Sequence, residues 1–136
     1  MTPITGSIVV EGYGLSEGTC VSFANPLHGI RKQGSVGLPL AGQSVRIVDA
    51  GGAEVPAGES GEVLIKGANV MRGYLNRPEE TERTVVDGWL HTGDVGRLDD
   101  DGYLYLVDRA KDMIIRGGEN IYPKEIEAVV YQLPEI

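Results

Sequence analysis

Cysteine is almost missing from this sequence: Cys20 is the only one in 136 residues. One thiol excludes an internal disulfide and any multi-cysteine metal centre. Histidine is nearly as scarce, and neither His28 nor His91 has a second ligand at zinc-like spacing. No apolar run approaches the ~18 residues of a membrane span. The first cation is Arg31, so the N-terminus lacks the basic region of a secretory signal. Cations are the minority throughout. Twelve Lys and Arg against twenty Asp and Glu leave a net charge of −8. Nucleic acid and anionic membrane surfaces both need clustered cations, so neither is an expected partner. These absences together point to a soluble, acidic, cytoplasmic protein from a reducing compartment.

Glycine is what the sequence has in excess: 20 of 136 residues, about twice the ordinary share. With 41% hydrophobic residues the chain is too apolar for disorder. The glycines therefore mark turns and places where backbone approaches a ligand.

Residues 7–11 read as a short buried strand, an apolar run ahead of a glycine-rich turn. Residues 12–18 are too glycine-rich for a helix or regular strand and read as a loop. Residues 19–34 read as irregular. Val45 and Ile47 alternate with Ser44 and Arg46, which predicts a half-buried strand. Residues 49–52 predict a turn, 55–61 a loop and 62–67 a strand ending at glycine. Arg77, Pro78, Glu79 and Glu80 predict a helix start with Arg77 as N-cap, and Asp87-Gly88 an end. Residues 89–92 and 95–98 read as two strand pieces hinged at Gly93-Asp94. Asp99 to Gly102 predicts a hairpin turn into a strand over 103–107, and 112–116 a further strand. Pro123 starts a last helix, with Ile126, Val129, Val130 and Leu133 in one apolar stripe.

Several chemistries fail on the residues. Asp99 to Gly102 mimics a calcium loop, but its twelfth position is Ala110, not a bidentate Glu. Ser16, His91 and Asp94 could be drawn as a triad, yet the residues around Ser16 lack the nucleophile-elbow pattern. No G-x-x-x-x-G-K-[ST] loop is present. Other features stay open when taken singly. Tyr13 between glycines can lay its ring on a flat ligand, and Ser16 beside Glu17 can hold a phosphate oxygen and Mg²⁺. The same residues fit an ordinary surface turn. Asp94 can face a sugar diol or cap a turn. Arg109 can donate its fork to hydroxyls or form an exposed ion pair worth ~0–1 kcal/mol.

Taken together the segments are more specific. Tyr13-Gly14-Leu15-Ser16-Glu17, Gly88-Trp89-Leu90-His91-Thr92-Gly93-Asp94, Asp108-Arg109-Ala110-Lys111-Asp112 and Gly117-Gly118-Glu119-Asn120-Ile121-Tyr122-Pro123 occur in that order. Gly34 to Pro39 and Gly61-Glu62-Val63 fit the same pattern. The chain strongly resembles, over essentially its whole length, the adenylate-forming superfamily: acyl-CoA synthetases, peptide-synthetase adenylation domains and firefly-type luciferases. The 117–123 loop looks most like that of the acyl- and aryl-CoA ligases, and the 13–17 loop likewise resembles the CoA ligases, especially those acting on fatty acids.

The resemblance implies an ATP-dependent acid–thiol ligase that forms an acyl-adenylate, releases pyrophosphate and passes the acyl group to coenzyme A. It implies that Tyr13 stacks on adenine, that Ser16 contacts the α-phosphate and that Glu17 ligates Mg²⁺. Asp94 would accept both ribose hydroxyls, and Arg109 would donate to them. Lys111 would sit at the hinge of the mobile C-terminal domain. Gly117, Gly118, Glu119 and Asn120 would form the loop that enters the site in the thioester stage. The family's phosphate loop and its catalytic lysine have no counterpart in these residues, so the chain alone is expected not to form adenylate.

The implied fold is α+β and β-rich. Residues 1–108 would be the end of the large domain, with one parallel-type strand and an antiparallel barrel-like subdomain at about 34–107. Residues 109–111 would be the hinge, and 112–136 the start of the small mobile domain. The alternative is a truncated, non-catalytic homologue that binds AMP or a protein partner. Abrupt ends and the unpartnered 126–133 stripe suggest a piece of something larger, with dimerisation, swapping or aggregation through exposed edges.

Overall fold

The computed structural model describes residues 6–109, 114–116 and 119–133. Lys111, Gly117 and Gly118 lie outside the described residues, as does residue 112 at the start of the expected 112–116 strand. The elements run β1 (Gly12–Leu15), β2 (Cys20–Ala24), β3 (Leu38–Pro39), β4 (Gln43–Val48), β5 (Gly61–Gly67), α1 (Pro78–Thr84), β6 (Val85–Val86), β7 (Trp89–Leu98), β8 (Leu104–Arg109), β9 (Ile114–Arg116), β10 (Glu119–Ile121) and α2 (Pro123–Val130). A 3-10 turn, Ser16–Gly18, follows β1.

The fold is β-rich, with antiparallel sheets. One has the order β1-β2-β3. A five-stranded sheet runs β4-β5-β7-β6, with β8 also on β7, and β9 pairs with β10. Among the described residues every ladder is antiparallel and none closes the large sheet on itself. The expected parallel-type strand is therefore absent from them, and the expected barrel stands as an open sheet. The core lies where the two sheets meet: Phe23 from β2, Ile47, Val63 and Ile65 from β4 and β5, and Leu104 from β8. Two backbone bonds tie the sheets there. Val36 donates to the Leu104 carbonyl, and the Leu104 N–H donates to Gly37, each at 2.9 Å.

Alternation predicted β4 correctly: Val45 and Ile47 point inward while Ser44 and Arg46 are exposed. Arg77 and Pro78 start α1 as read. Asp99 Oδ1 accepts the N–H groups of Asp101 and Tyr103, which makes the acidic run a turn.

Other expectations fail for physical reasons. Residues 7–11 form no strand, and Ile8 and Val9 are more than half exposed, since the first ladder begins only at Gly12. The glycine-rich stretch after them does form a strand, β1, and β2 follows within the segment read as irregular. Glycine is required at 14 because the returning strand crosses so closely. A Cβ there would lie 1.6 Å from the Cys20 carbonyl oxygen, against the register shift between Tyr13 and Gly14. Residues 89–98 are one strand rather than two hinged pieces. Their surplus length is taken up as a bulge at Thr92 to Asp94, where β7 spends more residues than β5 between paired positions.

Beyond β8, Pro123 opens α2 as predicted. Asp108 joins this helix to the sheet: its carboxylate accepts the N–H of Arg109 at 2.8 Å and that of Lys124 at 3.2 Å. Ile126, Val129 and Leu133 of the apolar stripe are each about half exposed or more.

Candidate nucleotide-binding cleft

The bulge on β7 sets the centre of the site. Thr92 Oγ1 donates to the Val63 carbonyl at 2.7 Å and accepts the Asp94 N–H at 3.2 Å. A short side chain thus replaces the ladder bonds that the bulge gives up. On the other flank Asp94 pairs directly with Arg109 of β8 and Val95 with Asp108, ahead of a register shift between Val95 and Gly96. Arg109 Nε lies 3.4 Å from Asp94 Oδ1. The Asp94 carboxylate is largely buried while the guanidinium is 62% exposed, so the arginine fork stays accessible from the cleft.

Tyr13 reaches Asp94 from β1. Its hydroxyl donates to Asp94 Oδ2 at 2.5 Å. Burial, then this hydrogen bond and the carboxylate's charge, hold the Tyr13 phenol well above its usual range. The ring sits beside Phe23 of the core, 6.0 Å between centroids and tilted by 45°. Asp94 is therefore gripped on both oxygens, and each oxygen keeps a further acceptor direction.

Glu17 is placed by the 3-10 turn. Its backbone carbonyl accepts the Met71 N–H at 2.8 Å, and its Oε1 accepts the Tyr74 hydroxyl at 2.9 Å. Thr19 and Asn69 clamp the same turn to the 69–74 segment, with Thr19 Oγ1 on the Asn69 carbonyl and Asn69 Nδ2 on that of Gly18. Burial, then the bond to Glu17, raises the Tyr74 phenol above its ordinary value.

One cleft of about 320 Å³ collects these groups: Tyr13, Glu17, Asp94 and Arg109 line it, together with Glu62, Tyr74, Arg83 and His91. Ser16 is exposed on the 3-10 turn and is not among the lining residues. Glu119 and Asn120 lie on β10. Sequence reasoning assigned no role to Glu62, Tyr74 or Arg83, and His91 entered only against zinc and triad chemistry and as part of the Gly88 to Asp94 segment. Gly61-Glu62-Val63 carried a signal as part of the recurring pattern. Tyr74 and Arg83 carried none, because only the fold brings them back to the 13–17 loop.

The donor set suits a nucleotide. A carboxylate held on a rigid strand, with an arginine fork beside it, matches a pair of vicinal hydroxyls. Among the described residues no group of three or more His, Cys, Asp or Glu could hold a metal unaided. Glu17 would therefore hold Mg²⁺ only in partnership with phosphate oxygens, the coordination that ion favours.

Comparison with known proteins places these features in a family. The pattern of the family described as AMP-binding enzyme matches residues 1–75. The long-chain-fatty-acid–CoA ligase of Bacillus subtilis (strain 168) is 48% identical over 130 residues, covering 95% of this chain and 23% of that protein. A feruloyl-CoA synthase of Amycolatopsis sp is 47% identical over 132 residues, covering 96% of this chain and 27% of that protein. Among solved structures, ATP-bound MatB from Rhodopseudomonas palustris superposes with a TM-score of 0.88 at 43% identity, covering 95% of this chain and 26% of that one. The chain spans about a quarter of the length of the curated relatives it matches.

Proposed function

The chain belongs to the AMP-binding enzymes, and from that premise we propose that it forms the ribose- and metal-facing wall of an ATP-dependent, AMP-forming acid–CoA ligase. One observation carries the reading. Tyr13, Glu17, Asp94 and Arg109 come from three distant stretches of sequence and line a single cleft.

In this reading the carboxylate of the acid attacks the α-phosphorus of ATP, and pyrophosphate leaves. The thiol of coenzyme A then attacks the acyl carbon, and AMP leaves. Asp94 accepts the two ribose hydroxyls and Arg109 donates to them, which fixes the sugar and hence the α-phosphate. Tyr13, pinned to Asp94 through its hydroxyl, offers its ring to adenine, and Ser16, exposed outside the cleft lining on the turn that carries Glu17, donates to the α-phosphate. Glu17 holds Mg²⁺, which when bound neutralises phosphate charge. Lys111 serves as the hinge, and Gly117 and Gly118, with Glu119 and Asn120 of β10, line the passage for the thiol.

The acid is left general. Relatives of nearly equal identity are named for a long-chain fatty acid and for ferulate. Likeness over these residues therefore does not favour the fatty acids that the 13–17 loop suggested.

Pyrophosphate exchange into ATP, assayed with fatty and aryl acids, tests the proposal. Set within a full-length ligase, this sequence is expected to support exchange. Asp94→Ala is expected to lower it about 10- to 100-fold, the loss of one or two hydrogen bonds to a charged acceptor. The 136 residues alone are expected to give none. Exchange indifferent to Asp94→Ala contradicts the ribose assignment, and turnover by the chain alone contradicts the need for a separate phosphate loop and lysine.

A further inference from the structure

The role given to Asp94 depends on a stretch of backbone with spare length. Between two paired positions, β5 steps from Glu62 to Leu64 while β7 steps from His91 to Val95. Thr92, Gly93 and Asp94 thus stand against the single Val63 of β5, and this stretch bulges towards the cleft. Its middle residue is in the left-handed region, with Gly93 at φ +73° and open space where a Cβ would stand. Side-chain packing therefore does not restrain Gly93, and some other contact must select one form of the bulge.

That contact comes from Glu62. Its Oε1 accepts the Gly93 N–H at 3.2 Å. Its Oε2 lies 3.1 Å from His91 Nδ1. One carboxylate thus spans the bulge, holding the residue where it begins and the glycine at its apex. Thr92 secures the backbone between them through its bonds to Val63 and Asp94. Glu62 and His91 are both about one-third exposed in the cleft, so the pair stands at the edge of the site rather than in the core.

We propose that Glu62 is a positioning residue for nucleotide binding. By bridging Gly93 and His91 it fixes the bulge in the form that presents the Asp94 carboxylate to a vicinal diol. This rests on reading Asp94 as the ribose acceptor. Preorganising the acceptor removes the ordering cost that binding would otherwise carry. The bridge needs an acceptor facing Gly93 and a polar partner facing His91, and a glutamine side chain supplies both without the charge.

The test compares AMP with 2′,3′-dideoxy-AMP, titrated calorimetrically into the unsubstituted chain and the variants Asp94→Ala, Glu62→Ala and Glu62→Gln. The unsubstituted chain is expected to prefer AMP, and Asp94→Ala to erase that preference. Glu62→Ala is expected to reduce it about 3- to 10-fold, the loss of one or two hydrogen bonds, with dideoxy-AMP binding unchanged. Glu62→Gln is expected to restore it. Amide exchange at Gly93 should quicken in Glu62→Ala and not in Glu62→Gln. If Glu62→Ala does not fold, Glu62→Asp takes its place, since the shorter side chain cannot span both partners. Preference retained without the Glu62 carboxylate but erased by Asp94→Ala overturns the positioning role and leaves the ribose reading intact. Equal weakening of both nucleotides, or loss without rescue by Gln, also overturns it. An unsubstituted chain that binds both nucleotides alike, or neither, overturns the two together.

Discussion

Tyr13 and Asp94, separated by 81 positions in sequence, meet in one short hydrogen bond from phenol to carboxylate. That bond joins the β1 hairpin to the bulged strand β7, and so joins the proposed adenine platform to the proposed ribose acceptor. It also makes the site sensitive to alkali.

The fold favours the neutral Tyr13 phenol, because its ionisation is pushed upward by burial and then by Asp94. A group whose value is raised on folding contributes fully below its unfolded value, about pH 10 for tyrosine. The contribution then fades as pH climbs through the raised value. Ultraviolet titration should find tyrosines that ionise late, and Tyr13→Phe should remove the latest of them while leaving Tyr74. The same variant should lose about 1–2 kcal/mol at neutral pH in urea unfolding, a hydrogen bond to a charged acceptor. It should also show a flatter decline above pH 10.

Gly14 should be intolerant of any side chain. Its Cβ would stand 1.6 Å from the Cys20 carbonyl oxygen and 2.8 Å from the Val21 Cα, both backbone atoms that cannot swing aside. Gly14→Ala should therefore open the β1–β2 hairpin and move Tyr13 off Asp94, at a cost of about 2 kcal/mol or more. Thermal unfolding, with the latest-ionising tyrosine lost in the same sample, checks both consequences.

Asp108 should act as a tether for α2. Its carboxylate accepts the Lys124 N–H at the first turn of that helix, where opening N–H groups have no carbonyl one helical turn earlier to pair with. Asp108→Ala should speed amide exchange at Lys124 while leaving the β4–β5 amides protected. Unchanged exchange at Lys124 would show that the tether contributes nothing in solution.

Local chemistry was legible in the sequence where a local rule decided the outcome. β4 followed from alternation, α1 and α2 from proline at the first helical position, and the 99–102 turn from its acids and glycine. The order of the Tyr13, Asp94 and Arg109 segments pointed to the family before any contact was known. The rest depended on tertiary partners. β1 is glycine-rich and still forms a strand because β2 crosses it within contact distance. Ile8 and Val9 looked like core and are exposed because among the described residues no strand pairs with them. β7 looked broken at Gly93 because a bulge and a hinge share the same residues. The contacts of Glu62 required knowing which strand lies beside which, and that of Tyr74 which segment folds onto the turn that carries Glu17.

The most direct test of the account is a nitrogen-15 correlation spectrum of the chain titrated with AMP and Mg²⁺. The account predicts shifts confined to the amides of 13–17, 91–95 and 108–109, and their loss in Asp94→Ala. Shifts gathered on another face of the molecule, or none at saturating nucleotide, would contradict it.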